Sequence, residues 1–285
     1  MDDEKGYILK KVLNNNALIA LDEGHKEVIL IGKGIGFQRA KGDSIRHDAK
    51  IEKVFVLASE GQREQMQRLF TENDEDILRV ITEYVKYVEG KLERAFTTQF
   101  FIALTDHLVF AIKRLQQGIK IHNPFLYDVR SLYPYEYSLA QEGTTLLENR
   151  LKITIPEDEI GFLALHIHSG RTNQDLSRMN RFSGLIVKLI KVIETELEIE
   201  IDKTGLDYSR LVTHLRYAID RAKRNDFAEK ENSLSQLLQK EYPVCYNIAW
   251  KIVKILQNQL KVDIPEAEVS YLTLHIQRIL ERTKN

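Results

Sequence analysis

Hydrophobic and polar positions change their spacing near residue 60 of the chain. Before this point the apolar residues form short runs rich in β-branched side chains, separated by turn-forming Asn, Asp and Gly residues. This pattern is typical of strands joined by tight turns, and it predicts four antiparallel strands, at residues 7–13, 17–21, 27–31 and 51–57. Because a sheet of four short strands buries little core by itself, we expect a partner to cover it, for which a second copy of the chain is a candidate.

After residue 62 the apolar positions follow the period of helices. One stripe has the spacing of a single buried helix face and consists of Leu104, Leu108, Ala111, Ile112 and Leu115. Five prolines and 14 glycines among 285 residues also favour long helices over a loop-rich β architecture.

The helical part contains an internal repeat. Residues 104–114 (LTDHLVFAIKR) match residues 211–221 (LVTHLRYAIDR), and residues 155–167 match residues 264–276. The offsets of 107 and 109 residues are the size of a domain, so the repeat indicates two homologous helical domains. In both copies a Pro-Glu-x-Glu motif is predicted to open a helix, since proline suits the first turn and acids suit the positive end of the helix dipole.

The repeat completes the predicted organisation of the chain. Glu136-Tyr137 is matched with Glu241-Tyr242, and the polar segment 170–182 is predicted to link the two copies. The predicted fold class is α+β multidomain, with a small antiparallel β domain before two all-α helical bundles. The predicted bounds are 1–61 for the β domain, 67–170 for the first helical domain and 175–285 for the second.

Composition narrows the possible classes of function. Hydrophobic residues make up 43% and charged residues 29% of the chain, as in folded soluble proteins. The single cysteine, Cys245, excludes an internal disulfide and a multi-cysteine metal site. We find no signal peptide and no apolar run long enough to span a bilayer, so we expect a cytoplasmic protein without membrane insertion. Because 41 basic residues are balanced by 42 acidic ones, binding to nucleic acid would need a local basic patch.

Four of the eight histidines fall at equivalent positions in the two repeats: His107 and His166 in the first, His214 and His275 in the second. Burial in the core is one interpretation. A metal site is another, but it would need further Asp, Glu or Cys ligands. The acids nearest in sequence stand two turns away and are expected only to start helices; they are Glu157, Glu159, Glu266 and Glu268. We therefore predict no metal.

Catalysis and reversible phosphorylation are the remaining interpretations of these histidines. The chain has no G-x-S-x-G motif, no Cys–His arrangement and no glycine-rich phosphate loop, since Gly32–Gly36 lacks the required spacing. Neither an enzyme nor a cofactor is predicted. A neutral imidazole has a nucleophilic nitrogen at physiological pH, and phosphorylation gives it a charge of about −2. A duplicated pair of histidines therefore favours a phosphorylation switch.

Several motifs together resemble one family, the BglG/SacY-type transcriptional antiterminators. In the β part they are KVLNNN at residues 11–16, GKGIGFQR at residues 32–39 and KGD at residues 41–43. In the helical part, the sequences around the four repeated histidines resemble that family's two regulation domains for the phosphotransferase system (PTS) of sugar uptake. The resemblance covers essentially the whole chain and points to the glucose-type members of the family.

This resemblance implies a function for the N-terminal domain. In the family this domain is a symmetric, barrel-like β dimer that binds an RNA hairpin in a nascent leader transcript. Binding prevents an overlapping terminator from forming, so transcription continues into sugar-transport genes. The residues at the family's RNA-contacting positions are Lys11, Asn14, Asn16, Gly32, Lys33, Gly34, Phe37, Gln38 and Arg39. Asparagine and glycine can read base edges, an aromatic ring can stack and basic side chains can meet phosphates, although an ordinary turn with Phe37 in the core would look the same.

The resemblance also assigns the four repeated histidines as phosphoacceptors. His107, with His166, is the expected inhibitory site, phosphorylated by a glucose-type sugar permease (EII), while His214 and His275 receive phosphate from the carrier HPr. Arg114 and Arg221 lie two turns after His107 and His214 and either stabilise a phosphoryl group or are solvated. His168 is left out because Gln277 stands at its equivalent position, and three histidines are expected at the surface: His25, His47 and His122.

Two other classes of function remain open at this point. A protein-only sensor module would bind PTS components without nucleic acid, and it would keep its output if residues 1–60 were deleted. A DNA-binding activator would carry the same regulation domains. We find no convincing helix-turn-helix motif near either terminus, so DNA is not predicted as a partner.

Overall fold

The computed structural model describes residues 6–46, 51–172, 176–224 and 233–283. These residues form one β-sheet followed by helices, and the predicted α+β fold class is confirmed. The chain divides into two compact units. The first comprises Met1–His122 and Tyr135–Gln174, and the second comprises Asn123–Pro134 and Asp175–Asn285.

Five strands form the antiparallel sheet: β1 Gly6–Asn14, β2 Ala17–Leu21, β3 Glu27–Ile31, β4 Ser44–Arg46 and β5 Lys53–Val56. Their order across the sheet is β4-β1-β2-β3-β5. Four of these strands were predicted. Strand β4 was missed because it is three residues long and buries only Ile45, which gives too short an alternation to recognise.

The helices follow the sheet in chain order. They are α1 Glu60–Glu72, α2 Glu75–Leu92, α3 Thr98–Gln116, α4 Leu126–Leu132, α5 Pro134–Leu151, α6 Glu157–Thr172, α7 Leu176–Leu197, α8 Leu206–Arg224, α9 Ser233–Glu241, α10 Pro243–Leu260 and α11 Glu266–Thr283. The side chains of Ser59, Asp74 and Thr97 cap the N-termini of α1, α2 and α3. No helix in the described part of the chain is both long and apolar enough to cross a bilayer.

Each face of the sheet carries buried side chains. Leu18 pairs with Leu30 on one face, within the sheet's own core cluster. On the other face Ile29 pairs with Phe55, whose ring lies 4.5 Å from that of Phe101 on α3. The sheet does need a cover, as expected. On the face of Ile29 and Phe55, helix α3 of the same chain provides it.

Four members of the predicted helical stripe are confirmed as buried on α3, namely Leu104, Leu108, Ala111 and Ile112, while Leu115 is half-buried. The predicted linker at residues 170–182 is shorter than expected, because α6 continues to Thr172 and α7 begins at Leu176. Residues 173–175 lie outside the described part of the chain.

The two repeats share their order of helices, so that α2–α6 correspond to α7–α11. Helix α5 begins at Pro134 and α10 at Pro243, which makes Cys245 the equivalent of Glu136. The predicted match of Glu136 with Glu241 was therefore wrong. That match was based on the Glu-Tyr pair at residues 241–242, which lies at the end of α9 and not within the start of α10.

Helix α4 belongs to the second unit, although its sequence lies in the first repeat. There it packs against α8, and the Tyr208 hydroxyl donates a 2.8 Å hydrogen bond to the Asp128 carboxylate. Arg216 donates to the backbone carbonyl of Leu132 at 3.1 Å. Burial raises the pKa of Asp128 to about 6, although the bond from Tyr208 opposes this change.

Candidate functional site

In the first repeat, two helices bring the predicted histidine pair together. His107 on α3 and His166 on α6 have ring centroids 4.8 Å apart. Nε2 of His107 lies 3.4 Å from Oε2 of Glu159, and Arg114 forms an ion pair with Oε1 of the same carboxylate. His107 and Arg114 share one face of α3 because seven residues make about two helical turns.

The second repeat builds the same site from α8 and α11. The rings of His214 and His275 have centroids 5.0 Å apart. Nε2 of His214 lies 3.3 Å from Oε2 of Glu268. Arg221 donates to both carboxylate oxygens of Glu268, at 2.7 and 2.8 Å through Nη2. Each repeat therefore holds a histidine pair, a carboxylate and a guanidinium in one arrangement.

Burial keeps one histidine of each pair neutral. It lowers the pKa of His166 to about 3, and the neighbouring His107 contributes to this shift. Burial also lowers the pKa of His275 to about 4, with contributions from His214 and nearby arginines. Both rings are therefore uncharged at physiological pH, the state in which an imidazole nitrogen is nucleophilic.

The other histidine of each pair reaches the surface. The side chain of His107 is 20% exposed and that of His214 is 16% exposed. Phe162 lies beside His107, and Tyr271 lies beside His214, with ring centroids 6.0 and 5.5 Å apart. His275 is also only half-buried, so a partner protein can approach one imidazole in the first repeat and both in the second.

The glutamates are functional residues that the sequence interpretation missed. Glu159 and Glu268 were expected only to start helices, yet they are 2% and 5% exposed and face the histidines. Burial alone would raise the pKa of Glu268, but contacts with His214 and Arg221 outweigh it and hold the pKa below its usual value. Their equivalence in the two repeats was a signal that could have revealed them.

The structure pairs both arginines with the carboxylate of their site, and a role in stabilising a phosphoryl group stays a prediction. Arg114 is 8% exposed, and it pairs with a buried carboxylate instead of being solvated. Arg221 is a third exposed and makes the equivalent pair. Among the residues that the structure describes, no group of three or more His, Cys, Asp or Glu side chains is placed to hold a metal ion.

The remaining histidines lie outside these two sites. His168 is buried, and its Nδ1 lies 2.7 Å from the Glu136 carboxylate. The equivalent pair in the second repeat is Cys245 and Gln277, 3.2 Å apart, which indicates a structural role. His25 and His122 are exposed, as predicted, while His47 lies outside the described residues.

In the β domain, the β1–β2 turn holds the loop that follows β3. The amide oxygen of Asn14 accepts from the backbone N–H of Asn16, and that of Asn16 accepts from Gly34, both at 2.9 Å. Gly34 has a φ of +67°. A Cβ at Gly36 would lie 2.3 Å from the backbone oxygen of Asn14, so only glycine allows this close approach.

The nine predicted RNA-contacting residues therefore divide into two groups. Four of them shape the turn and loop: Asn14, Asn16, Gly32 and Gly34. Five present exposed side chains: Lys11, Lys33, Phe37, Gln38 and Arg39. Phe37 is 61% exposed, so the alternative that placed it in the core was wrong.

Comparison with known proteins places this arrangement in a family. The CAT RNA binding domain model matches residues 7–64, and the PRD domain model matches residues 82–170 and 187–279. The chain is 42% identical to the PtsGHI operon antiterminator of Bacillus subtilis, over 97% of this chain and 98% of that protein. The chain belongs to the family of CAT–PRD antiterminators.

Further relatives of this antiterminator agree with the assignment. Protein GlcT of Staphylococcus saprophyticus is 36% identical over 98% of this chain and 99% of its own length. The crystal structure of GlcT CAT-PRDI is 41% identical and covers 59% of this chain and 99% of that chain, with a TM-score of 0.54. The predicted family is confirmed, and each PRD match contains one histidine pair. The predicted domain bounds and the roles of single residues stay predictions.

Proposed function

We propose that this antiterminator binds an RNA hairpin in the nascent leader transcript of PTS sugar-transport genes and prevents formation of a terminator, under the control of phosphorylation at His107, His166, His214 and His275. The observation that carries the proposal is the repeated histidine site, with its buried Glu–Arg pair, in a chain that begins with a CAT RNA binding domain. The proposed role of the protein is regulatory. The proposed location is the cytoplasm, because the protein must meet a nascent transcript there.

The proposed RNA surface consists of the predicted RNA-contacting residues of the β domain whose side chains are exposed. Phe37 offers a ring for stacking on an unpaired base, and Lys11, Lys33 and Arg39 supply positive charge for phosphates. Asn16 keeps a donor for a base edge, because the recorded contact of its Nδ2 with Glu75 is 3.5 Å long and therefore weak. Because the net charge of the chain is nearly zero, binding to nucleic acid needs a local basic patch, and these three basic side chains are the proposed patch.

The histidine sites are the proposed switch. Phosphorylation brings a charge of about −2 to a histidine whose ring packs against a second imidazole on another helix, so the packing of the two helices is expected to change. Moving a two-state protein from 1% to 99% active takes about 5.5 kcal/mol. Two phosphohistidines facing each other across a dimer interface supply such energy by like-charge repulsion.

The proposed partners follow from this switch. A glucose-type permease phosphorylates the first PRD in the absence of sugar and HPr phosphorylates the second. The active form is a homodimer in which unphosphorylated first PRDs hold two CAT domains together. The similarity to the PtsGHI operon antiterminator and GlcT supports the glucose type.

The test uses the full-length protein, because α3 covers one face of the sheet and a fragment of residues 1–61 would expose Phe55. Unphosphorylated protein is titrated with an RNA hairpin of about 30 nucleotides containing internal loops, and with DNA of the same sequence. A Phe37→Ala variant is compared with Phe110→Ala, since the two rings are 61% and 64% exposed. We expect RNA-only binding that Phe37→Ala weakens by about 1 to 3 kcal/mol and Phe110→Ala leaves unchanged. Absence of RNA binding would favour the protein-only sensor.

A further inference from the structure

The structure distinguishes the two ring nitrogens of His107 and His214. In both residues Nε2 has no access to solvent. In both it is the nitrogen that faces the carboxylate, at 3.4 Å from Glu159 and 3.3 Å from Glu268. The same orientation is thus present twice, at sites separated by 107 residues in the sequence.

The carboxylates are fixed in place. Oε1 of Glu159 is paired with Arg114, and both oxygens of Glu268 are bonded by Arg221. Each glutamate therefore turns Oε2 toward the imidazole while its arginine holds the carboxylate from the other side. A phosphoryl group on Nε2 would have to fit into this buried space and lie against a negative charge, which both sterics and electrostatics oppose.

We propose that Nδ1 is the phosphoacceptor atom of His107 and His214, and that Glu159 and Glu268 are positioning residues that select it. This inference rests on the proposed function, because it names the atom modified at two of the proposed sites. An anionic acceptor at Nε2 stabilises the tautomer that carries its hydrogen there. That tautomer leaves the lone pair on Nδ1, which becomes the nucleophile.

The transfer balances without any further reactant. The donor is a phosphohistidine of a PTS protein whose ring carries a proton on its other nitrogen. The Nδ1 lone pair forms the new N–P bond, the donor N–P bond breaks, and the donor imidazole keeps that electron pair and becomes neutral. The acceptor keeps its hydrogen on Nε2, and the positive charge that its ring gains lies beside the glutamate.

The test reads the isomer directly. Full-length protein labelled with ¹⁵N-histidine is phosphorylated by enzyme I and HPr with phosphoenolpyruvate, and ³¹P–¹⁵N correlation spectra distinguish Nδ1- from Nε2-phosphohistidine. Mass spectrometry of fragments assigns each phosphate to a histidine. We expect the Nδ1 isomer at His214, and the same isomer at His107 when the permease is the donor.

The positioning role is tested with Glu268→Gln. This site is chosen because Arg221 is a third exposed and tolerates the loss of its partner better than the buried Arg114. The control is Glu281→Gln, an exposed glutamate on the same helix. We expect Glu268→Gln to raise the ratio of Nε2 to Nδ1 isomer at His214 by at least about tenfold, the effect of one charge-assisted hydrogen bond, with no change in the control.

The outcomes separate this inference from the proposed function. The Nε2 isomer in the unmodified protein would overturn the assignment of the atom and leave the switch intact. An unchanged isomer ratio in folded Glu268→Gln would overturn the positioning role. Absence of phosphate on all four histidines with either donor would contradict the proposed function itself.

Discussion

Substituting Asp128 by Asn should stabilise the second unit at neutral pH. Asp128 on α4 is 1% exposed, and burial raises its pKa from 3.8 to about 6. A folded-state pKa above the unfolded value means that the native protein prefers the protonated acid, so stability falls as the pH rises from about 4 to about 6. At about 1.4 kcal/mol for each pKa unit, the cost at pH 7 is about 3 kcal/mol. An asparagine oxygen still accepts the bond from Tyr208 without this cost.

The measurement is urea unfolding followed by the fluorescence of Trp250, the single tryptophan, which packs against the core of the second unit. The stability of Asp128→Asn minus that of the unmodified protein should be near zero below about pH 4 and grow by about 3 kcal/mol by pH 7. Asp263→Asn, an exposed aspartate of the same unit, is the control. A difference that is flat with pH, or a less stable variant at pH 7, would refute this reasoning.

Three further substitutions test other parts of the molecule. Gly36→Ala should cost about 3 kcal/mol and abolish RNA binding, because its Cβ would meet a backbone oxygen at 2.3 Å. Gly90→Ala, on α2 with open space around it, should raise the melting temperature, and equal melting of the two variants would contradict the steric argument. His107→Asp, which places a permanent charge at the inhibitory site, should abolish antitermination of a reporter in cells without sugar; full activity there would count heavily against the switch. His168→Ala should destabilise the first unit by about 1 to 3 kcal/mol in thermal unfolding, because the buried Glu136 carboxylate loses one partner and keeps its ion pair with Arg171. A change within about 0.5 kcal/mol, the usual effect of a surface substitution, would show that the pair is not structural.

The histidine pairs were predictable because the two repeats of the chain can be aligned with each other. A duplicated helical domain preserves what both copies need, and His107 and His214 stand out when the copies are aligned. Glu159 and Glu268 are preserved in the same way, but their place after proline supports a simpler interpretation as helix-start residues. Only the packing of α6 on α3 shows that the side chain of Glu159 points toward a histidine.

Features that depend on distant packing could not be predicted. The strand periodicity shows that Ile29 and Phe55 need a cover, but no local pattern tells whether a second copy or α3 provides it. The same holds for α4, whose seven residues carry too short a pattern to indicate which repeat they pack against. Polar contacts such as that of Asp128 with Tyr208 join residues 80 positions apart and leave no local signature.

The placement of α4 affects how this protein can be dissected. Since residues 123–134 complete the second unit, the chain passes between the units at three points, and a cut between the repeats at residues 173–175 separates α4 from the unit in which it packs. A fragment that starts at residue 175 leaves Tyr208 and Arg216 without their partners, while a fragment that ends there carries Leu126 and Val129 with nothing to cover them. Truncated proteins that separate the two PRDs therefore lose the contacts of α4 with α8, whereas intact chains with single substitutions keep them and are the sounder way to assign a regulatory effect to either PRD.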